Sequence, residues 1–277
     1  MEIPVYASTG AFVTRANGRN FHLIPRIAPL LDCDGLEFMM YESWAGQEAE
    51  IAAELRDSGV RFPSMHLDKR IGEALSTEGM AARDEVLSIM KRDLRTAAAI
   101  GSKLLVLHFW GGPPEDERFG ETKALYPTLD AMAKDAGLTL AVENVARNND
   151  LALNRLKALR ALCPDLSVTY DTKMAQLKGE NERLRAPENR WLFAEGHVKH
   201  LHVNDTDMEH IAGGRMPVLH IGDGCVRFDA FFQLVREAAF SGSAVVESTS
   251  TRPDGSVDTV VDPAAEISLT DVRANYP

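Results

Sequence analysis

Eight short runs rich in apolar and β-branched residues recur along the chain, and between them lie longer segments with apolar residues every three or four positions. The runs are IPVYAS from Ile3, GLEFMM from Gly35, FPSMHL from Phe62, KLLVLHF from Lys103, LTLAVEN from Leu138, LSVTYDT from Leu166, VKHLHVND from Val198 and SAVVES from Ser243. Strand followed by helix, repeated, returns the chain to the same end of a sheet each time, so the strands run parallel. Eight such units in 277 residues predict a single (β/α)8 barrel, an α/β fold occupying residues 1–277 as one domain. A doubly wound open sheet is the alternative, but no glycine-rich phosphate fingerprint follows the first run to favour it.

The spacing in AARDEVLSIMKRDLRTAAAIG and FDAFFQLVREAAFSG predicts two helices, each closed by a glycine, with IAAELRDSG and LKALRALCPD as shorter examples. GGPPEDERFG, GENERLRAPENR and IAGGRMP read as longer loops after the fourth, sixth and seventh strands.

A net charge of -11 without a Lys/Arg-rich run repels phosphate backbones and anionic lipid, which argues against nucleic acid or a membrane surface as partner. Cys33, Cys163 and Cys225 are odd in number and lack CxxC spacing, so they read as reduced thiols. MEIPVYASTG has neither the basic start nor the apolar core of a signal peptide, and no apolar run approaches the roughly 20 residues of a membrane span; the cytoplasm is the expected location.

In a barrel, reactive side chains come from the C-terminal ends of the strands, where the βα loops form one mouth. His66, His108, Glu143, Asp171, His202 and Glu247 stand at or near six consecutive strand ends. Any one of them has a plain structural reading, and Asp171 or Asp205 can simply cap a helix. Carboxylates brought to one rim repel each other unless a cation or protons compensate. Two Glu, one Asp and one His suit a divalent metal, Mn2+, Mg2+, Co2+ or Zn2+, better than copper or an iron-sulfur cluster. In HVKHLHVND the two-residue period puts His200, His202 and Asn204 on one face, His200 one layer deeper as an orienting group, and His197 at the opposite rim.

MHL with His66, VLHFWG with His108, AVENV with Glu143, TYDT with Asp171, HLHVND with His202 and Asp205, HIGDGCVRFDAFF and AVVES with Glu247 come in this order, and the set resembles the xylose isomerase-like TIM barrels. That superfamily holds sugar isomerases and epimerases together with the apurinic endonuclease family 2 enzymes. The resemblance implies that Glu143, Asp171, His202 and Glu247 hold a divalent metal, Mn2+ before the others. It implies as well that Glu143 and Glu247 are the catalytic pair, passing a proton through a metal-stabilised enediolate of a sugar or keto-polyol substrate. His66 and His108 then contact substrate oxygens or hold a second metal. The endonuclease branch needs DxxH on strand six and DxH before the glycine turn, where this chain has DTKM, with Met174, and MPVLHIGDG. Ketose epimerases carry a substrate-binding histidine where Met174 stands and an arginine soon after the strand-seven histidine, a position that Met208 occupies here; the nearest loop arginine is Arg215.

The remaining candidates are substrate contacts. Lys173 either grips a carboxylate or a substrate oxygen, or acts as an acid, or is a solvated loop lysine, and Arg215 reaches the mouth only from a long loop. Glu37 either binds a hydroxyl or serves a structural ion pair. Trp110, with Phe12, Trp44 and Phe109, either stacks on a sugar ring or packs. Gly222, Asp223 and Gly224 read as a turn that shapes the mouth. The competing enzyme reading is a lyase or dehydratase that uses the same enolate on a sugar-derived keto compound. An endonuclease and a non-catalytic sugar-binding module stand behind it, and a homo-oligomer is left open.

Overall fold

Strands buried on both faces must be apolar nearly throughout, because neither side meets water. Most of the eight runs follow this, and all eight become strands: β1 Val5–Ser8, β2 Leu36–Met39, β3 Ser64–His66, β4 Leu104–Leu107, β5 Thr139–Glu143, β6 Ser167–Asp171, β7 Val198–His202 and β8 Ser243–Val246, with polar residues interrupting β3, β6 and β7. They pair in sequence order into a closed barrel, and every recorded strand pair is parallel. The structure is a computed structural model that describes residues 3–111, 115–146, 148–207 and 218–248.

The α-helices are α1 Ile24–Ile27, α2 Glu48–Asp57, α3 Arg70–Glu78, α4 Arg83–Ile100, α5 Glu115–Thr122, α6 Tyr126–Asp135, α7 Ala152–Leu162, α8 Thr172–Gln176, α9 Trp191–Ala194 and α10 Phe228–Glu237. Helix α4 shows how the pattern works. Asp84 and Glu85 sit in its first turn, where carboxylates oppose the positive helix end, and Val86, Met90, Leu94 and Ala97 form the buried stripe. Gly101 then takes φ 82, a left-handed value at which a Cβ would be strained, and the helix stops.

Two expectations change. Helix α10 ends at Glu237, short of Gly242, and Ala239 rather than glycine takes the positive φ of 50 that turns the chain. Residues 115–120, the second part of the expected loop GGPPEDERFG, fall in helix α5; the run from Glu115 holds no proline to stop it. IAGGRMP lies outside the described residues, and with it Met208 and Arg215.

The chain divides into two compact units, Phe38–Thr169 and the segments Met1–Glu37 with Tyr170–Pro277. Among the described residues no helix is long and apolar enough to cross a membrane.

Candidate functional site

Polar residues that interrupt the buried strands cluster in each unit. Within Phe38–Thr169 the cluster is His66, His108 and Glu143, whose candidate ligand atoms all lie within 4.8 Å of one another. His66 and Glu143 are the last residues of β3 and β5, and His108 follows β4. His108 Nε2 stands 2.6 Å from Glu143 Oε2, and His66 Nε2 stands 3.4 Å from the same oxygen. His66 Nδ1 lies 2.8 Å from the Leu67 carbonyl. A carbonyl only accepts, so His66 Nδ1 is the donor of that contact. Burial lowers the His108 pKa to about 4, against the raising pull of Glu143, so its ring is neutral near pH 7.

The second cluster lies within Met1–Glu37 and Tyr170–Pro277 and has two layers. In the deeper one, β7 pairs with β8 so that His200 faces Ser243. His200 Nδ1 is 2.7 Å from Ser243 Oγ, and its Nε2 is 3.0 Å from Glu37 Oε2. Glu37, with no solvent exposure, also has its Oε1 3.1 Å from His202 Nε2. Burial pushes the Glu37 carboxyl up, but His202 and His200 outweigh it and hold it well below the usual carboxylate range. Glu37 therefore takes the ion-pair alternative, and the substrate-hydroxyl alternative is set aside because both oxygens face histidines in a closed interior.

The upper layer holds Asp171, His202, Asn204 and Glu247. His202 Nδ1 is 3.7 Å from Glu247 Oε2. Asn204 Nδ2 donates to Asp171 Oδ2 at 3.2 Å and to Glu247 Oε2 at 3.0 Å, so one amide ties two carboxylates together. Thr172 Oγ1 donates to the Asn204 carbonyl at 2.6 Å and accepts from its N–H at 2.9 Å, which locks the backbone there. Asp171 is also the N-cap of α8, accepting from Met174 N at 2.8 Å. The plain reading and the ligand reading of Asp171 coexist, since a carboxylate has about four lone-pair sites.

Donor chemistry can be tested against this geometry. Two ligands each about 2 Å from one divalent ion lie roughly 3 to 4 Å apart. The 3.7 Å between His202 Nδ1 and Glu247 Oε2 falls in that range. Imidazole nitrogen and carboxylate oxygen suit Mn2+, Mg2+, Co2+ or Zn2+ alike.

Asn204 bonds both Asp171 and Glu247, although sequence reasoning placed it on the face of His200 and His202 without assigning it a role. Its signal was the two-residue period that also singled out His200 and His202. Asp205 holds the glycine turn instead: its carboxylate accepts from the backbone of Thr206, Gly222, Gly224 and Val226 at 2.8 to 3.0 Å. His197 precedes β7 and packs against Trp191 at 4.9 Å between ring centroids.

Two substrate candidates are buried. Lys173 is not a solvated loop lysine: it lies in α8 with 6% of its surface exposed. Trp110 packs rather than offering a ring to a sugar. It is 1% exposed, its Nε1 donates to the Val145 carbonyl at 2.7 Å, and the Arg155 guanidinium lies 5.6 Å from its ring centroid. Phe12, Trp44 and Phe109 are likewise buried.

The family described as xylose isomerase-like TIM barrel matches residues 26–268. L-ribulose-5-phosphate 3-epimerase UlaE of Salmonella typhi is 24% identical over 260 residues, covering 88% of this chain and 84% of that protein. The D-allulose 3-epimerase from Methylomonas sp., solved with D-allulose bound, superposes with a TM-score of 0.71 at 17% identity, covering 99% of this chain and 98% of the other. The IolI protein, solved with a bound zinc atom, gives a TM-score of 0.67 at 14% identity, covering 99% and 96%.

Proposed function

Because this chain belongs to the xylose isomerase-like TIM barrel family, we propose that it is a divalent-metal-dependent isomerase or epimerase of a sugar or related keto-polyol. One observation carries the reading. Glu143, Asp171 and His202 are the last residues of β5, β6 and β7, and Glu247 follows β8; the C-terminal strand ends are where a parallel barrel carries its reactive side chains. Epimerase activity in the Salmonella and Methylomonas proteins supports it.

A divalent cation held by Glu143, Asp171, His202 and Glu247, Mn2+ in our reading, would supply positive charge that acidifies the C–H next to a ketose carbonyl. Glu143 and Glu247 move the proton, one removing it and the other returning it to the opposite face. Glu143 is suited to this because His108 Nε2 stands 2.6 Å from its carboxylate. Asn204 Nδ2 donates to the Glu247 carboxylate at 3.0 Å. His108, neutral near pH 7, donates to Glu143 or to a substrate oxygen. Lys173 neutralises an anionic substrate group. An acidic chain whose three cysteines lack CxxC spacing suits the cytoplasm.

The test is to incubate the Mn2+-loaded protein with a panel of ketoses, ketose phosphates, inososes and keto-glycosides in D2O and to follow each by NMR. Deuterium beside the carbonyl with inverted configuration or a moved carbonyl supports the proposal. Loss of water or of an aglycone makes the enzyme a lyase. A chain that binds no metal, or binds it equally well as Glu143→Gln, overturns the site.

A further inference from the structure

The deeper polar layer is more elaborate than packing requires. A carboxylate and two imidazoles without solvent exposure are costly to bury unless every proton is assigned to a partner. One proton assignment fits these contacts: Ser243 O–H donates to His200 Nδ1, His200 Nε2–H donates to Glu37 Oε2, and Glu37 Oε1 faces His202 Nε2 across an ion-pair contact of 3.1 Å. Each imidazole has its own carboxylate oxygen. With a proton on Nε2, a neutral His202 has its lone pair on Nδ1, the nitrogen 3.7 Å from Glu247 Oε2.

We propose that Glu37 is a positioning residue that holds His202 as the Nε2–H tautomer, with Nδ1 directed at the metal position, and that His200 and Ser243 hold Glu37. This rests on the reading of His202 as a metal ligand. The chain crosses three strands: β2 supplies Glu37, β7 the two histidines and β8 Ser243. An ionised carboxylate against the far nitrogen makes the imidazole a stronger donor and blocks rotation of the ring.

The same three side chains also lie close enough to form a metal site of their own, since the ligand atoms of Glu37, His200 and His202 fall within 4.8 Å. A metal there would take the Nε2 lone pair of His202 and force its proton onto Nδ1. The tautomer of His202 therefore separates the two arrangements.

The experiment is two-bond 1H–15N correlation NMR on metal-free protein labelled at histidine, with calorimetric titration of Mn2+ into wild type, Glu37→Gln, Ser243→Ala and His202→Ala. The expected spectrum shows His202 protonated at Nε2. Glu37→Gln is expected to lose ten- to hundred-fold in Mn2+ affinity, roughly the effect of removing such a partner elsewhere, and Ser243→Ala to lose less. Wild-type His202 protonated at Nδ1, or Glu37→Gln binding Mn2+ within twofold of wild type, overturns the proposal. His202→Ala separates the two failures: if it too leaves Mn2+ affinity unchanged, the ligand reading itself is wrong. Should Glu37→Gln fail to fold, the wild-type spectrum still decides.

Discussion

Asn204 and Glu247 exchange two hydrogen bonds: the Asn204 amide nitrogen donates to Glu247 Oε2 at 3.0 Å, and the Glu247 backbone N–H donates to Asn204 Oδ1 at 3.1 Å. A side chain that follows β7 thereby sets both the backbone and the carboxylate that follow β8. The same amide nitrogen reaches Asp171. It offsets the repulsion between two acids while leaving oxygen lone pairs for a cation.

Asn204→Asp replaces that donor with a third carboxylate. The metal-free variant should unfold at lower temperature, because the like charges lose their hydrogen-bonded tie. Mn2+ should raise its melting temperature by more than it raises that of wild type. Differential scanning fluorimetry with and without Mn2+ checks both, and an equal metal shift in the two proteins would count against a cation between Asp171 and Glu247.

Metal removal should show the same linkage in the unaltered chain. At a free concentration of 100 times Kd, a ligand bound only by the folded state adds about 2.7 kcal/mol of stability. Urea unfolding midpoints should rise with Mn2+, fall back with EDTA, and fail to respond in His202→Ala.

Gly224→Ala should be among the most damaging small substitutions on the surface. An added Cβ would lie 2.3 Å from the Thr206 carbonyl oxygen and 2.4 Å from Asp205 Oδ1, so the turn would have to leave the carboxylate that holds it. The turn then loses some of the four backbone hydrogen bonds to Asp205. Bonds to a charged acceptor contribute about 1.5 to 3 kcal/mol each. Chemical denaturation should show a loss of at least about 2 kcal/mol, and Asp205→Asn should lose a comparable amount.

Asp93 supplies a pH test away from the candidate site. It lies on α4 without solvent exposure, and burial pushes its pKa up to about 6 although Arg92 pulls it down. Asp68 packs against the same guanidinium at 2.7 Å, and its backbone N–H donates to Asp93 at 2.9 Å. Because the folded value lies above the unfolded one near 3.8, the folded state binds the extra proton. Its contribution to stability is complete below about pH 4 and is lost as the pH rises through about 6. The stability difference between wild type and Asp93→Asn, from urea titrations at pH 4.5, 5.5 and 7.5, should shift against wild type across that window. A difference independent of pH would refute the buried-acid assignment.

Strands and their polar ends were legible in the sequence because a barrel strand is buried on both faces. LLVL at β4 has no other stable place, so His108 just beyond it had to stand at a rim. The helical period of Val86, Met90, Leu94 and Ala97 was equally plain. Where α10 stops was not, since Ala239 adopts a backbone angle that composition reserves for glycine.

What sequence could not decide was partnership. Glu37 and His200 are 163 positions apart, and whether Glu37 met a sugar hydroxyl or an imidazole depended on which strands closed the barrel beside each other. Trp110 and Lys173 were ambiguous for the same reason, because exposure is set by the neighbouring elements and not by the residue. The sequence by itself determined the number of strands, their parallel order and the acidic and histidine groups at their ends, since apolar period and chain connectivity are local quantities. Tertiary structure alone decided which of those groups hold one another, because a hydrogen bond between strands far apart in the chain exists only once the sheet has closed.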